Sequence, residues 1–249
     1  MSGHSKWATI KRKKGAVDAA RGRLFTKLIR EITIAARSGG DVAGNARLRK
    51  AVADAKGNQM PSDTIQRAIK RGTGELEGVA YEEVLYEGTG PGGTLFLVEG
   101  STDNRNRTAA ELRKIFDKNN GVLAGGGSAA WAFDRVGVIE LPKTVSEDQL
   151  METVVEAGAE DYVDDGEAWV VHTSVDTFMD IVGAAEAAGI EIKGSRLAYI
   201  PKTKKEVVGR DAEVCLSLVD ALDEHDDVAS VYADFDVSDA EMERIEALG

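Results

Sequence analysis

Residues 138–193 read VIELPKTVSEDQLMETVVEAGAEDYVDDGEAWVVHTSVDTFMDIVGAAEAAGIEIK, and this stretch decides the fold. Val138–Leu141 has the β-branched, apolar character of a strand. Ser146, with Gln149 three residues on, is a capping-box signature that opens a helix. Two further strand-like runs, Asp161–Val163 and Ala168–His172, are separated by the turn Asp164-Asp165-Gly166. A helical pattern from Ser174 to Ala188 stops at Gly189, since glycine takes the left-handed cap without strain. Ile190–Lys193 then reads as a closing strand. Strand-helix-strand-strand-helix-strand is the ferredoxin-like order.

Outward from this unit the patterns change twice. Downstream, the sequence predicts a strand at Leu197–Ile200, a helix carrying Val214, Leu218 and Leu222, a strand near Val231–Phe235, and a last helix. That helix is opened by Ser238 with Glu241 and packs through Met242, Ile245 and Leu248. Upstream, Glu82–Glu87 and Thr94–Glu99 read as strands joined by the turn Gly88–Gly93, followed by an amphipathic helix over Arg107–Asn119. These flanks complete one interrupted α/β domain, which makes the middle unit an insertion.

Further upstream the spacing is helical. Leu24, Phe25, Leu28, Ile29 and Ile32 form one apolar stripe that ends at Ser38-Gly39-Gly40. Arg47–Lys56 repeats the pattern, and Pro61 with Ile65 and Ile69 begins a third helix closed by Gly72. Residues 1–22 are polar, basic and weakly periodic, the pattern of a mobile arm that orders on binding. The expected fold is therefore α+β, an N-terminal three-helix domain followed by two ferredoxin-like α/β domains, one inserted into the other. The boundaries read as 1–76 (basic arm and helices), 77–134 plus 195–249 (discontinuous domain) and 135–194 (insertion).

Charge divides the chain at the same place. Residues 1–72 hold 17 Lys and Arg against 5 Asp and Glu, a formal +12, while residues 73–249 hold 14 against 38, a formal −24. So basic a segment on a chain of net charge −12 repels itself unless a polyanion relieves it. Cations recur at Lys6, Lys11, Arg12, Lys13, Lys14, Arg21, Arg23, Lys27 and Arg30, a spacing that can follow a phosphate backbone. His4 and Trp7 offer rings for stacking on an unpaired base, although Trp7 can equally anchor the arm to the bundle. Arg47 and Arg49 sit on the helix suited to reach base edges in a major groove, though no helix-turn-helix pattern is present. Asp103 or Asn104 can cap the helix that follows; Arg105 and Arg107 beside it form a candidate anion site, with plain capping the stronger reading.

Catalytic chemistry finds no anchor. Gly88, Gly90 and Gly93 match G-x-G-x-x-G, but a strand follows where a dinucleotide site needs a helix, and Pro91 has no N–H to give. His4, His172 and His225 lack zinc spacing, and Asp223-Glu-His-Asp-Asp227 reads as a solvated helix end. The lone Cys215, among Val214, Leu216 and Leu218, reads as a buried apolar residue and its lack of a partner suits a reducing compartment. No apolar run approaches the roughly 20 residues that span a bilayer, and Met1–Lys14 has no apolar leader. The expectation is a cytoplasmic protein without enzymatic turnover, metal or cofactor.

Seven segments carry a family likeness: Gly3–Trp7, Phe25–Ile32, Asn58–Pro61, Ile69–Gly74, Tyr86–Gly88, Gly90–Gly93 and Thr102–Thr108. Together they resemble the YebC/PmpR family, to which a mitochondrial translational activator of a cytochrome oxidase subunit also belongs. The likeness is densest over residues 1–135. It implies a three-domain, non-enzymatic regulator of gene expression that binds DNA. The alternative it implies is a ribosome- or RNA-associated factor that relieves stalling at difficult sequences such as proline runs. The expected partners are nucleic acid, DNA or ribosomal RNA, and for the acidic domains the ribosome or a protein, with no membrane. Residues 124–130 and the acidic tail carry no assigned site.

Overall fold

The computed structural model describes residues 17–248, which form two compact units: residues 131–204, and residues 17–130 with 205–248. The described residues begin with helix α1 (Val17–Ala35), extended by a 3₁₀ turn at Ala36–Ser38. Residues 17–22 thus belong to a helix, and the part of the expected arm in residues 1–16 lies outside the described residues. α2 (Ala46–Gly57) starts where the Asn45 side chain accepts from the Leu48 N–H, and α3 (Ser62–Gly72) follows a Pro61 cap. Ile32, Leu48, Val52, Ile65 and Ile69 make a core of their own. Gly72 lies against the Thr33 carbonyl and Ala36, so α1 and α3 cross at a point with no room for a Cβ.

β1 (Glu82–Thr89) and β2 (Leu95–Thr102) form an antiparallel hairpin with Thr89 opposite Leu95. The turn holds Gly92 and Gly93 at φ of 66° and 71°, the left-handed region that glycine enters without a Cβ clash. The glycine triplet is therefore a strand-turn-strand connection. α4 (Arg105–Lys118) is capped by Asn104, whose side chain accepts from the Arg107 N–H, and β3 (Val122–Ala124) adds to the free edge of β1.

The glycine-rich stretch after β3 folds around a carboxylate. Glu87 of β1, buried, accepts from the backbone N–H groups of Gly127 (2.7 Å), Ala129 (2.6 Å) and Ala130 (2.8 Å). Burial pushes this carboxyl's pKa up; the three N–H bonds outweigh it and leave it below the ordinary value.

The inserted unit runs β4 (Phe133–Pro142), α5 (Glu147–Leu150, continuing as a π-helical turn over Met151–Val155), β5 (Asp161–Asp164), β6 (Ala168–Thr173), α6 (Phe178–Ala187) and β7 (Gly194–Pro201). Its antiparallel sheet has the order β5-β6-β4-β7, which is the ferredoxin-like arrangement. Ser146 caps α5 by accepting from the Gln149 N–H. Ile139, Leu141, Leu150, Val171 and Ile181 fill the core between sheet and helices.

The closing strand of this unit differs from expectation. It is β7, paired with β4 from Phe133↔Pro201 to Glu140↔Gly194, and the segment Ile190–Lys193 is not a strand. Gly189 takes φ of 70°, and the Ile190 N–H turns back to the Ala185 carbonyl with the Ile190 side chain buried beneath. Ile190 is thus the apolar partner of a helix C-cap, whose β-branched composition imitates a strand. Residues 197–200, expected in the outer domain, belong to the insertion.

The chain returns through β8 (Lys205–Glu206), α7 (Gly209–Asp223), β9 (Val228–Ala233), β10 (Phe235–Asp236) and α8 (Asp239–Leu248). β9 pairs with β2, which completes a sheet of order β3-β1-β2-β9, and β8 pairs with β10. Phe96 of β2 stands edge-on to Phe116 of α4 and tilted against Phe235, with ring centroids 5.9 Å apart in both pairs. Cys215 of α7 is buried in this core, and burial pushes its thiol up to about 11. It is a packing residue, as the sequence predicts. The architecture is mixed α and β, N-terminal helices followed by antiparallel sheet domains.

Candidate nucleic-acid interface

α1 turns three of its cations, Arg23, Lys27 and Arg30, to one face, because spacings of four and three return to the same side of a helix. That face meets the end of α7 and the turn before β9. Arg23 Nη2 lies 3.8 Å from Glu224 Oε1. Lys27 Nζ donates to the Asp223 carbonyl at 2.6 Å and lies 3.3 Å from its carboxylate. Arg30 Nη1 donates to the Asp226 carbonyl, the Ser101 carbonyl and Asp227 Oδ1, while its guanidinium sits 5.1 Å from the Tyr81 ring centre.

Asp227 is the hub of this contact. It is buried, and its second oxygen accepts from Arg107 Nη2 (2.8 Å), Thr108 Oγ1 and Thr102 Oγ1. Burial alone would raise its pKa; the bonds from Thr108, Arg107 and Arg30 overcome that and bring it down to about 2. The anion beside Arg107 is therefore a carboxylate of the chain itself. Arg107 also holds Asp103 at 2.7 Å, and Arg105 holds Glu82 at 2.8 Å, so both cations of the expected anion site are committed within the fold.

The other expected contacts divide. Arg47 bonds Glu31 through Nε (2.7 Å) and Glu83 through Nη2 (2.7 Å), and its bond to Glu31 leads those that push its pKa further up. Arg49 donates to the Ala43 carbonyl, and Arg21 packs over Phe25. His4, Lys6, Trp7, Lys11, Arg12, Lys13 and Lys14 lie outside the described residues. Among the described residues, Arg37, Lys56 and Lys70 of the helical part and Arg113, Lys114 and Lys118 of α4 are exposed cations with no ion pair. The structure thus gathers Arg23, Lys27 and Arg30 with Arg107 around one acidic turn, and sets Arg47 and Arg105 apart from them.

Sequence reasoning assigns the turn Asp223–Asp227 to solvent and so misses its role. The available signal is Asp220 and Asp223 at the C-terminal end of α7, where the helix dipole disfavours negative charge and no basic residue of the helix offsets it. An unfavourable charge placed so implies a cation from elsewhere, and Lys27 is that cation. His225 lies within the same turn: Nδ1 accepts from the Asp227 N–H, and Nε2 lies 3.0 Å from Glu111 Oε2.

Glu111, His225 and Asp227 bring ligand atoms within 4.8 Å of one another, the density of a metal site. The donor set does not suit a cation. Asp227 already serves two guanidiniums, which would repel an added positive charge, and His225 Nδ1 is occupied by a backbone N–H. Beside this cluster an open cleft of about 760 Å³ is lined by Arg23, Arg107, Lys114, Glu111, Glu224 and His225, among others.

No described helix is long and apolar enough to cross a membrane. The chain matches the model of the TACO1/YebC protein N-terminal domain over residues 5–75 and that of the TACO1/YebC second and third domain over residues 81–235. It is 54% identical over 248 residues to a probable transcriptional regulatory protein of Acidithiobacillus ferrooxidans, covering 99% of each chain. A probable transcriptional regulatory protein of Geobacter sulfurreducens is 52% identical over 246 residues, 98% of this chain and all of that one. The crystal structure of a conserved hypothetical protein from Aquifex aeolicus superposes with a TM-score of 0.81 at 41% identity, covering 90% of this chain and 93% of that chain. With both domain models and full-length relatives in agreement, this chain belongs to the TACO1/YebC family.

Proposed function

We propose that this chain is a non-enzymatic, cytoplasmic regulator of gene expression that grips nucleic-acid phosphates through its basic N-terminal segment. The observation that carries this reading is the formal +12 of residues 1–72 in a chain of net −12, within a family whose curated relatives are named probable transcriptional regulatory proteins. Because Arg30, Arg47 and Arg107 are spent on internal carboxylates, the first grip falls to Lys6 and the run Lys11–Lys14, supported by the unpaired cations of the helices. Duplex DNA is the primary target in this reading.

A second reading, ribosomal or other structured RNA with a role in translation, is favoured by His4 and Trp7 beside the cation run. Flat rings next to phosphate-binding cations suit unpaired bases. In either case the acidic domains repel bare nucleic acid and face a protein or ribosomal partner.

The test uses the full chain with Lys11, Arg12, Lys13 and Lys14 all replaced by Ala. Affinity for every sequence should weaken alike, and the salt dependence should lose roughly 0.7–0.9 per lost phosphate contact, about three units in all. An unchanged slope would remove the basic arm from the interface. Crosslinking in cells, with sequencing of the attached nucleic acid, separates promoter DNA from ribosomal RNA.

A further inference from the structure

We propose that Asp223 and Glu224 form an acidic gate over Arg23 and Lys27 of α1, standing where phosphates would bind and yielding only to a nucleic acid that displaces them. The inference rests on the nucleic-acid reading above and concerns the regulation of that same basic segment.

The contact between α1 and the turn 223–227 grades from a buried anchor to an exposed lip. At the anchor, the Arg30 and Asp227 side chains keep 13% and 3% of their exposure. Further along the helix Lys27 keeps 19% against 58% for Asp223, and at the lip Arg23 and Glu224 keep 38% and 53%. Exposed pairs of this kind are individually weak and screened by salt, whereas a desolvated, multiply bonded carboxylate is not easily released. The anchor therefore holds the helix in place while the lip opens.

The placement of the two acids supports a role beyond stability. Asp223 and Glu224 stand at the C-terminal end of α7, where negative charge works against the helix dipole, and the last turn of α7 has no basic residue. Neutral residues there would serve α7 better. What the acids meet is the basic face of α1. Lys27 Nζ also donates to the Asp223 carbonyl, one of the orphan acceptors of the helix end, a bond that does not involve the carboxylate. The adjoining cleft, lined by Arg23 and Lys114 as well as Glu224, has about 760 Å³ of room for a phosphodiester. Carboxylates held close to a basic face suppress loose binding to any polyanion, since each phosphate contact must replace an internal one.

The test compares the full chain with D223N/E224Q and with the charge-matched control E243Q/E246Q on α8. Each is titrated by fluorescence anisotropy with a labelled oligonucleotide, as duplex DNA and as single-stranded RNA, over a series of salt concentrations. D223N/E224Q should bind roughly two- to thirtyfold tighter, the release of two exposed pairs, and its salt slope should steepen by up to roughly two units. The control should gain less in affinity and leave the slope unchanged. Adding R23A/K27A to the gate variant should cancel the gain. E224Q alone, at the most exposed pair, should move both readouts in the same direction and serves if the double variant folds poorly. Equal behaviour of D223N/E224Q and the control overturns the gate while leaving nucleic-acid binding intact, as does a gain that survives R23A/K27A. Failure of every variant to bind either oligonucleotide overturns the nucleic-acid reading, and the gate with it.

Discussion

Arg30 and Asp227 stand 197 positions apart in the sequence, yet Arg30 Nη1 donates directly to Asp227 Oδ1 at the seam between α1 and the outer sheet. The same carboxylate receives Arg107, Thr108 and Thr102, so one side chain ties α1 to α4, β2 and the turn before β9. Replacing Asp227 by Asn keeps the volume, leaves Arg30 without its counter-charge and leaves Arg107 with Asp103 alone. The expected cost is about 3 kcal/mol, at the low end for a broken buried pair because Arg107 is partly exposed. Urea unfolding of the full chain measures it, and a loss below about 0.5 kcal/mol would mean that the hub does not couple these elements.

Acid should expose the same hub. Asp227 titrates near 2 in the folded chain, below the ordinary aspartate value of about 4. A depressed carboxylate contributes stability that is fully present above its unfolded pKa and is lost as pH falls through the folded one. The window is therefore from about pH 4 down to about pH 2, with a loss on the order of 2 kcal/mol. Glu87 and Glu213 are depressed as well and add to the slope in the intact protein. The difference between wild type and Asp227→Asn isolates the hub. Parallel stability curves for the two proteins across that window would contradict the assignment.

The sequence made the elements legible where local chemistry decides them. Ser146 and Gln149 mark the start of α5, and the turn at Gly88–Gly93 leads from strand to strand, because caps and turns involve neighbours only. The split in charge at residue 72 likewise marks the end of the helical part. What stayed hidden depends on distant partners. Ile190–Lys193 looks like a strand by composition, and only the pairing of β7 with β4 shows which segment closes the sheet. The pairing of Arg23, Lys27 and Arg30 with residues 223–227 cannot be read from spacing, because both segments are also ordinary charged surface. The glycine-rich loop gave no sign that Glu87, about 40 residues earlier, fills it.

Gly100 tests the same seam through the backbone. A Cβ there would run into the Asp227 carbonyl, where the register between β2 and β9 shifts and the Ser101 N–H donates to that carbonyl. The obstacle is backbone, which cannot swing aside as a flexible side chain would. Gly100→Ala should therefore cost about 1–3 kcal/mol, the range of an overpacked core, and weaken the hold on Asp227. Thermal unfolding gives the cost. An alanine variant as stable as wild type would show that the strands separate freely at this point.

The Glu87 carboxylate organises the glycine-rich loop that follows β3. The N–H groups of Gly127, Ala129 and Ala130 converge on its two oxygens, and Gly127 sits at φ of 88°, a conformation that glycine alone adopts readily. Hydrogen bonds to a buried charge are worth more than neutral ones, and a donor left unpaired pays its full desolvation. Glu87→Gln keeps the size of the side chain but replaces one accepting oxygen with an NH₂ group that faces N–H donors. At least one of the three bonds must break, at a cost of about 2–3 kcal/mol, and the loop should open locally before the rest of the chain unfolds. Hydrogen exchange at the amides of Gly127, Ala129 and Ala130 should quicken, and proteases should cut within residues 124–130. Unchanged exchange at those three amides would show that the loop holds its shape without the carboxylate.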